Sequence, residues 1–382
     1  MSEKARFFIE KSIPELKDLE KKGIFNKDEL NRISKKRMEF ENRINNRGSK
    51  VKDFQLYIEY EKNIEELKKS RRSKKNIDTK SAISNWSGAR RINFIFERAL
   101  RKFPGNTGLW IEAIEYARSQ KMFKIINNLI NRMLKLHPKK PELWIFAASY
   151  EIDDNSDIIA ARRLLQNGLK FNNDSIDLWC AYGHLELSYI VKILLRRKIL
   201  GIDNEDNTQT KDEDESTLLL PETELDLPDI EVNVLGSVDQ NPALQGSVVK
   251  LVFDSGMKVF NFSQKSALKF TKAYADTICE FADSTIDVWP IYDYVITTAF
   301  TEYSSSADLG YLYCISPLQL VAFNTSEFVK RLRISAQRAF DLKKSLDIAR
   351  EYSHYLTSLL TDDTNKELKE SITAIAESII SK

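Results

Sequence analysis

The sequence has few of the residues on which most catalytic and metal sites depend. Histidine and cysteine each occur three times in 382 residues, without a CxxC pair or a histidine cluster. A zinc site needs several such ligands at close spacing, and general base catalysis relies most often on histidine. The 12 glycines stand singly, which argues against a glycine-rich loop that cradles phosphate groups. We therefore predict a protein without catalytic residues, metal or cofactor.

The scarcity of other residues and the lack of long apolar stretches restrict the fold class and the cellular compartment that can be expected. With 9 prolines and 12 glycines, the chain is poor in turn-forming residues for an all-β protein. No apolar stretch approaches the ~18 residues that a membrane-spanning helix requires, and the charged start MSEKARFF lacks the apolar core of a secretory signal. Cys180, Cys279 and Cys314 are widely separated, as expected for reduced thiols. We expect a soluble, intracellular, all-α protein with no membrane partner.

One helical signature occurs four times between residues 54 and 189, in the segments FQLYIEYE, LWIEAIEYA, LWIFAASYE and LWCAYGHLE. The four segments align on a large aromatic residue, and the positions three, six and seven residues later share a helix face with it. The last three copies start 34 and 35 residues apart, a period typical of helical solenoids. Packing between helices is one interpretation of the aromatics, and ligand binding is the other. The predicted repeat-core residues are Phe54, Tyr60, Trp110, Tyr116, Trp144, Tyr150 and Trp179.

A second helix follows each of the first three aromatic helices, in the segments RRINFIFERALRKFP, NNLINRMLKLHP and ARRLLQNGLKFN. Ala99, Met133 and Gly168 stand in register in these segments, and small side chains there favour a close crossing of helices. The acid seven positions after the leading aromatic, as in Glu61 and Glu186, is expected to accept a hydrogen bond from a buried ring or from an arginine of the next helix. Together these patterns predict an all-α, TPR-like helical-repeat solenoid.

Composition divides the chain into four regions. Residues 1–50 are expected to form a basic N-terminal helical extension, and residues 51–200 the repeats, with a loop inserted at about 70–84. Residues 201–240 carry a long acidic insertion, with twelve acids against one base between Asp203 and Glu231, which predicts disorder or ordering by a partner. Residues 241–382 show a weaker helical pattern, expected to be degenerate repeats.

The N-terminal region carries a surplus of positive charge. Residues 1–75 contain 22 Lys and Arg against 14 Asp and Glu. These bases are either solvated helix faces or a surface attracted to RNA or to acidic protein segments. The candidate contacts are Lys35, Lys36, Arg37, Arg43 and Arg47, taken as exposed, together with Arg71 and Arg72 in the predicted loop.

Several of these segments resemble a known family. The aromatic-rich helices and the segment FERALRKFP resemble the half-a-TPR, or HAT, repeat of RNA-processing complexes. The segments RFFIEKSIPELKDLEKKGIFNKDELNRISKKRMEFENRINNRG, DFQLYIEYEKNIEELKKSRR and ISNWSGARRINFIFERALRKFP resemble the sixth U-three small nucleolar RNA-associated protein family (Utp six). The resemblance covers roughly residues 3 to 260, and no clear motif follows Phe260.

This resemblance implies a non-catalytic scaffold subunit of the UtpB complex in the small-subunit processome. Its expected partners are other UtpB subunits, including WD40-propeller proteins, the U-three small nucleolar ribonucleoprotein and pre-ribosomal RNA. Its expected place is the nucleus and nucleolus, and its role ribosome biogenesis through rRNA processing and 18S rRNA maturation. The alternative is a TPR/HAT-type adaptor that binds peptide partners in another complex, such as an mRNA-processing or co-chaperone complex.

Overall fold

The computed structural model describes residues 3–75, 84–199, 241–282, 284, 286–303, 306–321, 325–342, 346–359 and 366–380. Within these ranges the regular structure is entirely α-helical, and consecutive helices pack against one another in pairs. The all-α, helical-repeat fold class predicted from the sequence is confirmed. None of the described helices is long and apolar enough to cross a membrane. The predicted acidic insertion at 201–240 and the central part of the predicted loop, 76–83, lie outside the described residues.

The chain divides into two compact units, Met1–Pro138 and Lys139–Lys382. The described helices of the first unit are α1 (Glu3–Glu10), α2 (Ile13–Lys21), α3 (Lys27–Asn45), α4 (Val51–Lys74), α5 (Ser84–Lys102), α6 (Thr107–Ser119) and α7 (Phe123–Leu136).

Local chemistry sets the helix boundaries at the start of the first unit. Pro14 stands in the first turn of α2, where its missing N–H costs no hydrogen bond. Gly23 adopts a positive φ of 62°, which lets the chain turn after α2. Asn26 and Glu29 then form a capping box at the start of α3, which satisfies backbone N–H groups that the helix itself cannot.

The described helices of the second unit are α8 (Pro141–Asp153), α9 (Ile158–Phe171), α10 (Ile176–Ile199), α11 (Ser247–Phe260), α12 (Gln264–Cys279), α13 (Trp289–Glu302), α14 (Ala307–Gln319), α15 (Ser326–Asp341), α16 (Leu346–Ser358) and α17 (Lys366–Ile380). Here α9 packs against α8, and α11 and α12 both pack against α10. A core of buried side chains from α10 to α14 fills the space between these helices.

The repeated aromatic residues lie inside the two units, with one exception. Trp110 and Trp179 each donate their indole N–H to the backbone carbonyl six residues earlier, of Pro104 at 3.0 Å and Asn173 at 2.9 Å. Equivalent aromatics therefore make equivalent contacts in separate repeats. Tyr60 is only half-buried and packs beside Phe40. The buried members of the set are Phe54, Trp110, Tyr116, Trp144, Tyr150 and Trp179.

Candidate nucleic-acid interface

Helix α3 presents basic side chains to solvent along one side. Lys35, Lys36 and Arg43 are exposed on it, and Arg47 is exposed just after its end. Lys36 also contacts Glu39 at 2.7 Å, with both side chains more than half exposed. Such a surface ion pair contributes little stability, so the ammonium group remains available to an anionic partner. These four residues form the basic surface of α3.

Arg37 points to the opposite side of α3. It is only 2% exposed and lies in line with Ile33 and Ile44 on the buried face. Its Nε donates to Glu61 Oε1 at 2.7 Å and its Nη2 to Glu61 Oε2 at 2.9 Å. A buried guanidinium requires such a carboxylate, because without one its lost hydration is not compensated. The prediction that Arg37 is an exposed contact residue is therefore wrong.

Glu15 and Arg91 extend this pair into a buried ionic network that joins α2, α3, α4 and α5. Arg91 Nη2 donates to Glu15 Oε2, and Arg37 Nη1 lies 3.6 Å from the same oxygen. Burial alone would raise the pKa of the Glu15 carboxyl, but Arg91 and Arg37 outweigh it and hold that pKa below its usual value. Two carboxylates thus face two guanidinium groups, which leaves no net charge to attract an external anion.

A second buried pair joins α3 to α5. Arg98 donates to both carboxylate oxygens of Glu41, at 2.7 and 2.8 Å. The guanidinium also lies 4.7 Å from the ring centroids of Phe8 and Phe94. Because a planar guanidinium can stack on rings while its edge forms hydrogen bonds, Arg98 connects α1, α3 and α5 at once.

Arg71 and Arg72 belong to α4, which continues to Lys74, and not to the inserted loop predicted from the sequence. Arg71 donates to both oxygens of Glu29, at 2.7 and 2.8 Å, and to the carbonyl of Ile24 at 3.1 Å. These bonds hold the last turns of α4 against the start of α3. They explain why α4 extends beyond the end that the sequence predicts. Arg72 donates to Asn85 Oδ1 at 2.9 Å. Both guanidinium groups therefore have partners within the fold.

The contact with Arg71 lowers the pKa of the Glu29 carboxyl. Its hydrogen bonds from Arg71 and from the backbone N–H of Asn26 lower its pKa to about 2. The charged form is favoured because both donors bind only an ionised carboxylate at full strength. Glu29 therefore stays ionised in the folded protein at any pH near neutrality.

Histidine contributes no site in the described part of the chain. His137 Nε2 contacts the Pro104 carbonyl at 2.7 Å, and His184 Nε2 lies 3.8 Å from Glu280 with both side chains exposed. Across the described ranges, no three His, Cys, Asp or Glu side chains are placed together to hold a metal ion. The chemistry that the described surface offers is charge and apolar contact.

Reasoning from single sequence positions did not predict the buried ion pairs. A signal was present, since Arg37 interrupts the apolar stripe of α3 between Ile33 and Ile44. A charged residue on an apolar stripe is an expected member of a buried pair, because it has no solvent to face. The described residues thus define an all-α helical-repeat protein with an ion-paired N-terminal interior and an exposed basic surface on α3.

Comparison with known proteins finds a family to which the N-terminal region is similar. Residues 9–91 match the family model described as U3 small nucleolar RNA-associated protein 6. This match covers α2, α3 and α4, which contribute most of the buried ion pairs. The region is therefore similar to this family, in agreement with the sequence resemblance.

Curated relatives carry the same name. U3 small nucleolar RNA-associated protein 6 of Schizosaccharomyces pombe is 41% identical over 200 residues, covering 52% of this chain and 41% of the relative. The Mus musculus homolog is 32% identical over 185 residues, covering 48% and 31%. The Dictyostelium discoideum homolog is 27% identical over 394 aligned positions, covering 98% and 63%. The chain thus spans between 31% and 63% of the length of these relatives.

Proposed function

We propose that the protein is a non-catalytic scaffold subunit of the small-subunit processome, as part of the UtpB complex. In this role it acts with the U-three small nucleolar ribonucleoprotein in pre-rRNA processing and 18S rRNA maturation, in the nucleolus. The observation that carries the proposal is the match of residues 9–91 to the U3-associated family, on helices that fold as one ion-paired body.

The architecture supports a scaffold. Paired helices with buried aromatic cores, assigned here to HAT repeats, build extended surfaces on which other proteins dock. The proposed protein partners are UtpB subunits, including WD40-propeller proteins. Catalysis has no support in the described residues, whose charged groups are either paired inside the fold or dispersed on helix surfaces.

The basic surface of α3 is the proposed contact with pre-rRNA. Lys35, Lys36, Arg43 and Arg47 are accessible, and positions 36 and 43, seven residues apart, lie on one side of α3. Phosphate groups are recognised by such accessible lysines and arginines, largely without regard to base sequence. Arg71 and Arg72 are assigned a structural role instead, because both are bonded within the fold.

Depletion of the protein from cells tests the proposal. Cells that normally express this protein would carry a degradable copy, and the level of each mature rRNA would be measured after depletion. We expect 18S rRNA to fall while the large-subunit rRNA is maintained, a tagged copy to lie in the nucleolus, and U-three RNA to precipitate with it. Normal 18S rRNA after depletion, or a cytoplasmic tag, would favour the adaptor alternative and reject the proposal.

A further inference from the structure

A groove runs between α5 and α7 on the first unit. Trp86, Arg90, Phe94 and Glu97 line it from α5, while Ile125 and Arg132 line it from α7. Its volume is about 460 Å³, and the buried side chains of Phe96 and Leu129 form its floor. We call it the α5–α7 groove. It is separate from the basic surface of α3.

Large apolar side chains remain uncovered in the α5–α7 groove. Trp86 is 62% exposed, and no other aromatic ring or cation contacts it among the described residues. Phe94 and Ile125 are also exposed and face the same groove. Exposed apolar residues are ordinary when scattered singly, but three in one concave surface mark a binding site. Of the three, Phe94 also packs against Phe8 of α1, with ring centroids 5.2 Å apart.

The charge around the groove is positive. Arg90 is exposed and has no ion pair within the described ranges, while Arg132 and Arg101 share one carboxylate, Glu97, at 3.5 and 3.6 Å. Two guanidinium groups therefore share a single carboxylate, and Arg90 adds a further positive charge to the lining. A partner that brings carboxylates to the ends of the groove would be attracted, and a basic partner would be repelled.

We propose that the α5–α7 groove binds a segment of another protein that presents apolar side chains flanked by acidic residues. From Trp86 to Glu97 the groove follows eleven residues of α5, or roughly 16 Å at the ~1.5 Å rise of a helix. This length accommodates about three turns of a helix or about five residues of extended chain. The inference goes beyond the proposed function, because it concerns a surface that any complex containing this protein would present.

The lining favours a peptide over single-stranded RNA. The floor consists of the Phe96 ring and the aliphatic Leu129 in a concave surface, which suits side chains that insert as anchors. RNA bases could stack on the exposed Trp86 ring, but single-stranded RNA also needs cations close by that are free to hold its phosphates. Glu97 contacts both Arg132 and Arg101, and its carboxylate would repel a phosphate at either of them.

Selection from a displayed library of random peptides tests the proposal with the full chain as target. Two groove variants, Trp86→Ala and Arg90→Glu, change exposed side chains and are expected to unfold at the wild-type temperature. The matched controls are Phe262→Ala and Arg163→Glu, which alter an equally exposed ring and an exposed arginine of the second unit. Circular dichroism melting checks that all four variants fold.

We expect selected peptides to combine apolar and acidic residues and to lose about tenfold or more in affinity with each groove variant, as for an aromatic or arginine hot spot. The two controls should bind these peptides as the wild type does. Failure to select any peptide sensitive to Trp86→Ala would overturn the proposal. Oligo-uridine binding that the two groove variants abolish, in the absence of such a peptide, would instead identify RNA as the occupant and also reject it.

Discussion

Arg162 and Glu186 are joined by two hydrogen bonds of 2.6 Å between α9 and α10, and the same separation of 24 residues joins Arg37 to Glu61 between α3 and α4. Both carboxylates occupy the seventh position after a leading aromatic, so two repeats use the same ionic contact between consecutive helices. The arginine that is bonded to this acid lies on the helix that precedes it, and not on the next helix as the sequence predicts. Glu61 alone of the two also has an arginine of the next helix nearby, Arg91 at 3.5 Å. The repeat of Trp110 has Ala117 at the acidic position and lacks the pair.

The two pairs differ in burial, and their removal is expected to differ in cost. Glu61→Gln leaves the two guanidinium groups of Arg37 and Arg91 with Glu15 as the one remaining carboxylate of the network, which should lower the free energy of unfolding by about 3–5 kcal/mol. Glu186→Gln is expected to cost less, because the Arg162 side chain is 31% exposed and water can replace the carboxylate. Urea denaturation followed by circular dichroism measures both. Equal losses in the two variants would contradict the role assigned to burial.

Acid should weaken the contact between Arg71 and Glu29. The folded pKa of Glu29, about 2, lies below its ordinary value of 4.5. A depressed carboxyl pKa contributes stability above the unfolded pKa, and that contribution is lost as the pH falls from 4.5 towards 2. The stability difference between the wild type and Arg71→Gln should therefore shrink over this interval. Thermal unfolding at a series of pH values measures it, with Arg43→Gln as a control that should show no such change.

Gly168 is expected to reject even a methyl group. A Cβ built there would lie 2.9 Å from Trp144 Cγ and 3.2 Å from Leu178 Cδ2, closer than packed carbons allow. Gly168→Ala should therefore lower the free energy of unfolding by about 1–3 kcal/mol, although alanine is the better helix former. Gly108→Ala, whose added Cβ comes no nearer than 3.4 Å to Asn106 Oδ1, should be neutral or stabilising. A stabilised Gly168→Ala variant in chemical denaturation would exclude the close crossing.

RNA binding should depend on the basic surface of α3. We expect the triple variant Lys35→Glu, Lys36→Glu, Arg43→Glu to weaken binding of single-stranded RNA by the full chain. It should also reduce the slope of log affinity against log salt by roughly 0.7 for each phosphate group that the variant no longer neutralises. Filter binding at several salt concentrations measures this slope.

The control for that experiment reverses three exposed lysines of the second unit, Lys258, Lys265 and Lys269, to glutamate. It changes the net charge by the same amount without touching α3. An equal loss of affinity and slope in the control would show that total charge, and not the basic surface of α3, governs binding.

The sequence revealed the repeats because their signal is local. A leading aromatic and its helical offsets can be counted along the chain, and Trp110 and Trp179 indeed share one buried geometry. The direction of the side chains at Lys36 and Arg37 was harder to predict. These two basic residues are neighbours in the sequence and differ only in the side of α3 that they face. The outcome there depends on Glu61, a residue 24 positions away on the next helix. Charge counts contain no such information.

Pro317, in the second unit, is another position where a residue distant in the sequence affects the structure. The sequence predicts a helix that begins at this proline, whereas the structure places it inside α14. A proline there leaves the carbonyl of Tyr313 without its helical donor. Two other donors bind that oxygen, Ser316 Oγ at 3.1 Å and Arg338 Nη1 of α15 at 3.2 Å, and the Arg338 guanidinium stacks over the Tyr313 ring. A partner from a later helix thus contributes to a proline position that local rules disfavour.

The network of Glu15, Arg37, Glu61 and Arg91 has a consequence for how the protein can be divided. Its four charges come from four different helices, so removing the first fifty residues would delete one acid and one base and leave Glu61 and Arg91 as the remaining pair, 3.5 Å apart and newly open to water. Fragments that start at the first repeat should therefore fold less stably than expected from the number of repeats that they contain. Expression trials on this chain should begin upstream of Glu15.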